Sequence, residues 1–579
     1  MKLKRLTTPV ALAGAVTLGL AGCAQSDRTT TDSPSTASGS AGSSSGGGSG
    51  SDTFTFGAAG APEVFDPYYA SDGESFRVTR QIFQGLLGIK PGSAEAQPEL
   101  AESWESSDDG LVWTFKLRQG VKFTDGEVFN AAAVCANFER MFDQNEIAAA
   151  GPAEYWATTM LGFKKDVGTE NEGIYKSCAA KDDATAELTL TKFSPDFPIM
   201  LTLESFSMQS PKALKDGDAN NVSKEGEGFK YPAYSMAPVG TGPYKLEKYD
   251  EANKTITLVR NDDFWGEKAK SDKIVFRIIP DEPTRRQELE AGSISAYDLP
   301  NPVDWKGLED AGNQVLIRPA FNILYVGLNP EKNPKLKDLK VRQALYYALN
   351  RDQLVQTQLP EGAKVATQFM PDTVAGYNTS LEPYAYDKAK AQQLLKEAGA
   401  EGMELTFAYP SEVSRPYMPD PQKIHDALRA DLEAVGIKVN VVTKPWNGGY
   451  LDGVDNGLFD AWLLGWTGDY NSANNFIGTF FADDVNDFHT WAADYGKPLS
   501  KDLADANAIV DEAERTTAYE AVNKKIMEEY LPGLPISHSP PALVVGKGVD
   551  GLTPSPLTAE MFDTVSQIKP EFTSLTASA

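Results

Sequence analysis

The fold of this chain is decided by the segment Leu111-Val-Trp-Thr-Phe-Lys-Leu-Arg-Gln-Gly-Val-Lys-Phe-Thr-Asp-Gly126. Apolar and polar side chains alternate at its start, so that one face carries Leu111, Trp113, Phe115 and Leu117. Alternation of this kind predicts a half-buried β-strand. The glycine-bounded residues 120–126 predict a turn, and Asn130 then stands as the N-cap of a helix predicted over 131–142.

Helical periodicity becomes frequent further along the chain. Residues 339–350 predict one helix, and Asp387 caps a second helix predicted over 388–397. A third helix, predicted over 422–435, is followed at once by a strand over 437–442. Helices and strands that mix in this way throughout the chain indicate an α/β body.

Length and charge restrict the class of protein. Once the N-terminal leader is set aside, roughly 525 of the 579 residues remain, too many for one core, so at least two lobes are expected. The formal charge of −27 argues against nucleic acid as a partner, because nucleic-acid binders need a basic face.

The N-terminus has the features of an export signal. Lys2, Lys4 and Arg5 precede an apolar run that ends at Ala21 and is too short to span a bilayer. The sequence Leu20-Ala-Gly-Cys23 resembles the bacterial lipobox, which implies cleavage after residue 22 and a diacylated Cys23. The two acyl chains of one diacylglycerol suffice for stable anchoring. The alternative is an ordinary signal peptide with a chance cysteine.

Residues 23–52 predict a tether between the lipid and the folded body. The stretch 33–51 consists almost wholly of Ser, Gly, Thr, Ala and Pro. Such a segment has too little apolar surface to offset its ordering entropy, and Gly/Ser chains behave as flexible coils. Residues 1–52 are therefore left out of the fold argument.

Two cysteines remain once Cys23 is acylated. Cys135 and Cys178 form an even pair in an oxidising compartment, so a disulfide between them is expected. The sequence alone leaves open whether their Cβ atoms meet.

Several segments together resemble the extracytoplasmic solute-binding proteins of ABC importers that carry peptides, nickel and related solutes, known as solute-binding family 5. The resemblance covers about residues 55–560. The segments that carry it are 98–104, 111–126, Pro238-Val-Gly-Thr-Gly-Pro-Tyr244, Val341-Arg-Gln-Ala-Leu-Tyr-Tyr-Ala-Leu-Asn350 and Tyr386-Asp387 with Leu394-Leu395 and Ala398-Gly399.

The resemblance implies a two-lobed α/β fold of the class II periplasmic-binding-protein type, with a hinge between the lobes. The first lobe would comprise 53–320 and 537–579, with an extra subdomain inserted at about 85–235. The second lobe would comprise 321–536. The lobes would close over the ligand by hinge motion.

Two further segments resemble those of dipeptide-binding members of the family. They are Ser414-Arg-Pro-Tyr417 and Gly465-Trp-Thr-Gly-Asp469. The resemblance implies that Arg415 holds the peptide carboxylate and that Asp469 holds the amino group. Trp466 and Trp446 would be apolar walls of the pocket. The chain departs from the family at 470–473, Tyr-Asn-Ser-Ala, where dipeptide binders tend to carry Gly, Asp and Pro.

Each of these residues also has a plainer interpretation. An Arg before a proline is often a solvated loop residue, an Asp after a glycine commonly caps a turn, and a tryptophan can belong to the core.

The resemblance further implies a monomer that delivers its ligand to a membrane permease driven by a cytoplasmic ATPase. The anchored chain would lie on the outer face of the cell membrane of a bacterium with a single membrane. Ligands other than short peptides remain open, among them longer peptides, glutathione, haem, siderophores and oligosaccharides. A surface sensor that does not transport also remains open.

No cofactor, metal or catalytic residue is expected. The histidines, His425, His489 and His538, have no close ligand spacing for nickel. The body also lacks a Gly-x-Ser-x-Gly elbow, a His-Glu-x-x-His motif and a cysteine nucleophile signature, which argues against an enzyme.

Overall fold

The computed structural model of the chain describes residues 52–226, 228–483 and 486–567. The predicted signal peptide, Cys23 and the tether up to residue 51 lie outside the described residues. Within those ranges, no helix combines the length and apolar character that a membrane span requires.

The strands of the described residues are, in chain order, β1 (Thr53–Ala58), β2 (Leu87–Ile89), β3 (Ala96–Pro98), β4 (Ala101–Ser106), β5 (Val112–Leu117), β6 (Tyr175–Asp182), β7 (Thr185–Leu190), β8 (Ser223–Glu225), β9 (Gly228–Lys230), β10 (Tyr244–Asp250), β11 (Thr255–Arg260), β12 (Lys273–Ile278), β13 (Ala296–Asp298), β14 (Gln314–Ile317), β15 (Asn322–Leu328), β16 (Lys364–Val365), β17 (Glu404–Ser411), β18 (Lys438–Pro445), β19 (Ala461–Thr467), β20 (Gly533–His538), β21 (Ala542–Val545), β22 (Val549–Asp550) and β23 (Ser566–Gln567).

The α-helices of the same residues are α1 (Gly73–Thr79), α2 (Ala131–Phe142), α3 (Glu146–Ala149), α4 (Glu154–Thr159), α5 (Phe197–Met200), α6 (Pro211–Asp216), α7 (Glu282–Glu290), α8 (Trp305–Asp310), α9 (Leu339–Ala348), α10 (Arg351–Gln358), α11 (Lys388–Glu397), α12 (Pro421–Ala434), α13 (Leu451–Asp455), α14 (Thr479–Phe481), α15 (Gly496–Asn507) and α16 (Glu512–Lys525).

Local signals in the sequence account for several of these bounds. The predicted helix over 131–142 is confirmed as α2, and the Asn130 side chain accepts the Ala133 N–H at 3.0 Å. The helix over 388–397 is confirmed as α11, capped by Asp387. The helix predicted over 339–350 ends at Ala348 instead, because Asn350 is the N-cap of the next helix, α10.

The first lobe is built on a mixed sheet of order β10-β11-β12-β1-β13-β21-β14. Its centre is parallel, since β1 pairs in parallel with both β12 and β13. Every second residue of β1 is buried at its start, and Phe54 and Phe56 pack with Phe562 from near the C-terminus. Strand β1 and the segment around Phe562 therefore share one core.

A subdomain of the first lobe is formed by the antiparallel sheet β4-β5-β7-β6 and by α2. Its apolar cluster surrounds the fully buried Trp156. Cys135 of α2 and Cys178 of β6 are joined by a disulfide, with their Cα atoms 5.2 Å apart. The bond fixes the helix against an outer strand of the sheet.

The second lobe is built on the sheet β16-β20-β15-β19-β17-β18. Strand β15 is buried along its whole length and pairs with β19 and β20. Helices α9, α11 and α12 pack with these strands in the largest apolar cluster of the described residues. The two lobes thus have separate sheets and largely separate cores.

In the described residues the chain passes between the two large sheets twice. The first crossing joins β14 to β15, and the second joins β20 to β21. The predicted lobe boundaries at 320/321 and 536/537 stay a prediction. By sheet membership, β20 belongs to the second lobe as far as His538.

The crossings are hydrogen-bonded to each other. The Arg318 N–H donates to the Pro541 carbonyl at 2.8 Å. Asn322 Nδ2 donates to the Ser539 carbonyl at 2.7 Å, and the Ser539 N–H donates to Asn322 Oδ1 at 3.0 Å. The two connections therefore run side by side as one ribbon.

A buried ion-pair network lies beside the crossings. Arg318 is fully buried and bonds Asp298 Oδ1 and Glu560 Oε1, each at 2.6 Å. Arg77 of α1 bonds the other oxygen of Asp298. Burial acts to raise the pKa of Asp298, but Arg318 and Arg77 outweigh it and hold that pKa well below its usual range.

Candidate ligand-binding site

A cavity of about 220 Å³ lies where the two lobes face each other. The first lobe contributes side chains that are mainly hydroxylated or aromatic: Ser71, Glu154, Tyr155, Thr158 and Thr159. The second lobe contributes Trp466, Asp469, Tyr470, Asn475 and Thr479. A cavity walled from both lobes is the expected place for a ligand in a hinged fold.

The end of strand β19 brings Trp466 and Asp469 to this cavity. Trp466 pairs with Ile323 of β15, and the chain then turns at Gly468. A Cβ on Gly468 would lie 2.3 Å from the Phe321 ring and 2.7 Å from the Phe476 ring. A glycine is therefore required for the chain to pass between these rings and present Asp469.

Asp469 is a partly buried carboxylate bonded across the lobes. Tyr155 Oη donates to Asp469 Oδ1 at 3.2 Å, and the Asp469 N–H donates to Asn475 Oδ1 at 2.8 Å. Burial raises the pKa of Asp469 to about 6, with a smaller rise from Glu154, while the bonds to Tyr155 and Asn475 lower it. No Lys, Arg or His of the described residues lies within ion-pair distance of this carboxylate.

Trp466 supplies an aromatic wall and an unused donor. Its ring meets Phe480 edge to face, with the ring centroids 6.4 Å apart. Its indole Nε1 is buried without a hydrogen-bond acceptor among the described residues. A buried donor that lacks an acceptor is unfavourable, so a ligand acceptor placed there would satisfy it.

Arg415 and Trp446 form a second pair. The Arg415 guanidinium carbon lies 4.2 Å from the Trp446 ring centroid, a cation–π contact. The Arg415 backbone exchanges two hydrogen bonds with Met418, of 3.0 and 2.9 Å. Within the described part of the chain, no carboxylate lies within ion-pair distance of the guanidinium.

The Arg415–Trp446 pair is connected to strand β19, which leads to Trp466 and Asp469, through a contact between Tyr417 and Gly465. A Cβ on Gly465 would lie 2.4 Å from Tyr417 Cδ2, so the turn that carries Arg415 packs directly on β19. Arg415 and Trp446 do not themselves line the 220 Å³ cavity. The structure therefore brings Trp466 and Asp469 together on the cavity and places Arg415 with Trp446 on the neighbouring turn.

Comparison with known proteins identifies the family. The model of the bacterial extracellular solute-binding proteins, family 5, matches residues 95–488. The chain belongs to this family. Members are binding proteins and not enzymes, and the chain is accordingly a binding protein with the two-lobed family 5 fold.

Individual relatives cover nearly the whole body. The dipeptide-binding protein of Escherichia coli K12 is 31% identical over 527 residues, which are 89% of this chain and 94% of that protein. The haem-binding protein A of Haemophilus influenzae is 31% identical over 575 residues, 98% of this chain and 99% of that protein.

A solved relative contains a peptide. The periplasmic binding protein DppA of Helicobacter pylori, in complex with the peptide STSA, has a TM-score of 0.70 and 28% identity. The match covers 89% of this chain and 98% of that one.

Residues 470–474 of this family 5 member tie the lobes together. Ser472 Oγ donates to Asp196 Oδ1 at 2.5 Å, and Asn474 Nδ2 donates to Asp196 Oδ2 at 3.0 Å. Tyr470 is buried in the apolar cluster of the first-lobe subdomain. We call Asp196, Tyr470, Ser472 and Asn474 the clasp.

The clasp was not predicted from the sequence. Residues 470–473, where the sequence differs from what dipeptide binders tend to carry, include two of the second-lobe residues that contact the first lobe, Tyr470 and Ser472. The first-lobe residues Glu154, Tyr155 and Asp196 were missed, because neither a motif nor a spacing connects them to a loop some 300 positions away.

The histidines do not line the cavity. His425 and His538 are buried, which lowers the pKa of each to about 4, and their rings lie against backbone carbonyls of Phe407 and Asn322. His489 pairs with Glu331 at 2.9 Å. Within the described ranges, no group of three or more His, Cys, Asp or Glu side chains could hold a metal ion.

Proposed function

We propose that this chain captures short peptides with free termini, dipeptides above all, as the binding component of an ABC importer. The observation that carries the proposal is Asp469, a partly buried carboxylate on the interlobe cavity with no cationic partner among the described residues. The naming of several relatives as dipeptide- or di/tripeptide-binding proteins supports it.

The chemistry of a dipeptide matches two charged groups of the second lobe that lack an ion-pair partner among the described residues. A free dipeptide is a zwitterion whose charged ends lie about 5–7 Å apart, given a reach of about 3.3–3.6 Å per residue. Asp469 would hold its ammonium group, and Arg415 would pair with its carboxylate through the planar guanidinium fork. Trp466 and Trp446 would flank the ligand. Each buried charge would then be neutralised by the ligand, which avoids the cost of burying it alone.

Delivery completes the proposed role. Cleavage after residue 22, a diacylated Cys23 and the tether to residue 52 would hold the body at the outer face of the cell membrane, near its permease. Tethering raises the effective concentration of the loaded receptor at the permease. A cytoplasmic ATPase would then drive import. Replacement of Cys23 by serine should abolish labelling of the chain by radioactive palmitate and release it into the medium.

Peptide binding is tested by thermal unfolding of the purified chain with a library of dipeptides. A ligand at 100 times its Kd stabilises the folded state by about 2.7 kcal/mol, which raises the melting temperature. Unblocked dipeptides should raise it, and the same dipeptides with acetylated N-termini should not, because acetylation removes the ammonium group that Asp469 would bind.

Haem, glutathione and an oligosaccharide are included as ligands in the same experiment. A shift with one of these and with no dipeptide would replace the peptide proposal by another solute. Mass spectrometry of the ligand that copurifies with the chain provides an independent check.

A further inference from the structure

The charges that line the interlobe cavity are all negative. Among the described residues that line it, only Glu154 and Asp469 carry a formal charge, and no lysine, arginine or histidine lies with them. The first lobe supplies one carboxylate and the second lobe supplies the other. A ligand that enters with one positive charge therefore neutralises one carboxylate and leaves the second uncompensated.

Glu154 lies next to the residue that bonds Asp469. It begins helix α4, and its neighbour Tyr155 donates to Asp469. The charge of Glu154 also reaches Asp469, where it contributes to the raised pKa of that carboxyl. The two acidic groups thus act on the same space.

No other part of the described chain neutralises Glu154. No Lys, Arg or His of those residues lies within ion-pair distance of its carboxylate. Glu139 and Asp143 of the same subdomain, by contrast, are both paired with Lys164.

The walls around the two carboxylates also suit a cation. Tyr155, Trp466 and Tyr470 line the same cavity, and the faces of aromatic rings attract ammonium and guanidinium groups. Ser71, Thr158 and Thr479 add hydroxyl oxygens that can accept hydrogen bonds from such a group.

We propose that Glu154 is a specificity residue, which makes this cleft prefer short peptides with a second positive charge next to the free amino terminus. The preferred class has lysine, ornithine or arginine as its first residue. The inference rests on the proposed function, since Asp469 takes the terminal ammonium group and Glu154 takes the side-chain cation.

The size of the preference follows from the exposure of Glu154. Its side chain remains open to water, and exposed ion pairs contribute up to about 1 kcal/mol, which corresponds to about a five-fold change in Kd. The preference should also shrink as salt is added, because ionic screening weakens exposed charge pairs.

The test compares Lys-Ala with norleucyl-Ala, which has a similar length without the charge, by isothermal titration calorimetry on the purified full-length chain. The wild type should bind Lys-Ala about five-fold more tightly, and Lys-Ala acetylated on its side chain should lose that advantage. In Glu154→Gln the ratio of the two Kd values should fall toward one.

Glu146→Gln is the matched control. Glu146 is also the exposed first residue of a short helix in the same subdomain, but it does not line the cavity. This variant should keep the wild-type ratio. A ratio that is unchanged in Glu154→Gln, or equal binding of Lys-Ala and norleucyl-Ala by the wild type, would overturn the inference. If neither peptide binds the wild type, the proposed function itself fails.

Discussion

The carboxylates of Asp298 and Asp469 both lie within the protein, one beside the crossings and the other on the cavity between the lobes. Asp298 is bonded to Arg318 and Arg77, and Arg318 also bonds Glu560. Asp469 has a tyrosine hydroxyl as its side-chain partner and no cation of the described residues within ion-pair distance. Two aspartate side chains of the same protein thus lie in different electrostatic surroundings.

The pKa values of the two carboxylates reflect their different electrostatic surroundings. Burial raises the pKa in both settings, but around Asp298 the arginines reverse the shift, whereas Asp469 is left with a pKa of about 6. A carboxylate that the protein neutralises contributes to folding, and one that it leaves uncompensated is available to a ligand. Four experiments test this difference between the two carboxylates.

The largest effect is expected from Arg318→Met. The substitution leaves the buried carboxylates of Asp298 and Glu560 with one fewer cation, and loss of one partner of a buried pair typically costs about 3–5 kcal/mol. Urea denaturation should show a free energy of unfolding that is lower by this amount. A loss below about 1 kcal/mol would mean that the network is not the main electrostatic contribution to the first lobe.

Asp469→Asn should weaken ligand binding without destabilising the folded chain, unlike Arg318→Met. The substitution removes an uncompensated charge from the cavity, so the melting temperature of the unliganded chain should stay the same or rise. Dipeptide binding should weaken about 100-fold, because the ligand ammonium loses its counter-charge. Calorimetry with an unblocked dipeptide measures this loss. A lower melting temperature with unchanged affinity would reverse the roles assigned to the two carboxylates.

The pH dependence of binding follows from the pKa of about 6 for Asp469. An unfolded Asp titrates at about 3.9, so the ionised carboxylate costs stability at neutral pH, and this cost is relieved progressively as the pH falls from about 6 to about 3.9. The pH dependence of ligand binding has the opposite sign, because binding of the ammonium group needs the ionised carboxylate. Affinity should therefore fall about ten-fold between pH 7 and pH 5.

Calorimetry in buffers of different ionisation enthalpy checks the same linkage. Binding should release about half a proton near pH 6 and almost none near pH 7, where the small release from Asp469 is offset by a small uptake at the peptide amino group. Proton release that is equal at both pH values would assign the titration to another group.

The smallest effect is expected at the clasp. Asp196→Asn replaces one carboxylate oxygen, which accepts a clasp hydrogen bond from Ser472 or Asn474, by an amide NH₂ group. This should destabilise the arrangement in which the clasp joins the two lobes by about 1 kcal/mol. All peptide ligands should then bind about five-fold more weakly and by the same factor, and small-angle scattering should show a larger radius of gyration without ligand.

Asp183→Asn, at an exposed position of the same subdomain, is the control for the clasp and should change neither quantity. If Asp196→Asn changed the order of the affinities for different peptides, the clasp would affect ligand selection as well as closure of the lobes.

The parts of the fold that the sequence predicted well are those with local causes. The bounds of α2 and α11 follow from Asn130 and Asp387, whose side chains cap N–H groups three residues on. The alternation in 111–118 likewise follows from contacts within one sheet. Arg415 and Asp469 were proposed through the resemblance to dipeptide binders, and their ligand contacts stay a prediction.

The partners from the first lobe could not be predicted. Tyr155 and Asp469 are 314 positions apart, and Asp196 and Ser472 are 276 positions apart. Their meeting depends on how two separately formed lobes face each other, for which a single sequence has no local signal. Glu154 was overlooked for the same reason, since an exposed glutamate at the start of a short helix is an ordinary surface feature.

The paired crossings have a practical consequence for observing this protein at work. Because Asn322 and Ser539 bind the two connections into one ribbon, opening and closing should follow a single arc and not a free swivel about separate strands. One distance between two dyes, with one attached to each lobe, would then define the degree of opening. The chain could therefore serve as a fluorescent reporter of its ligand with a single pair of labels.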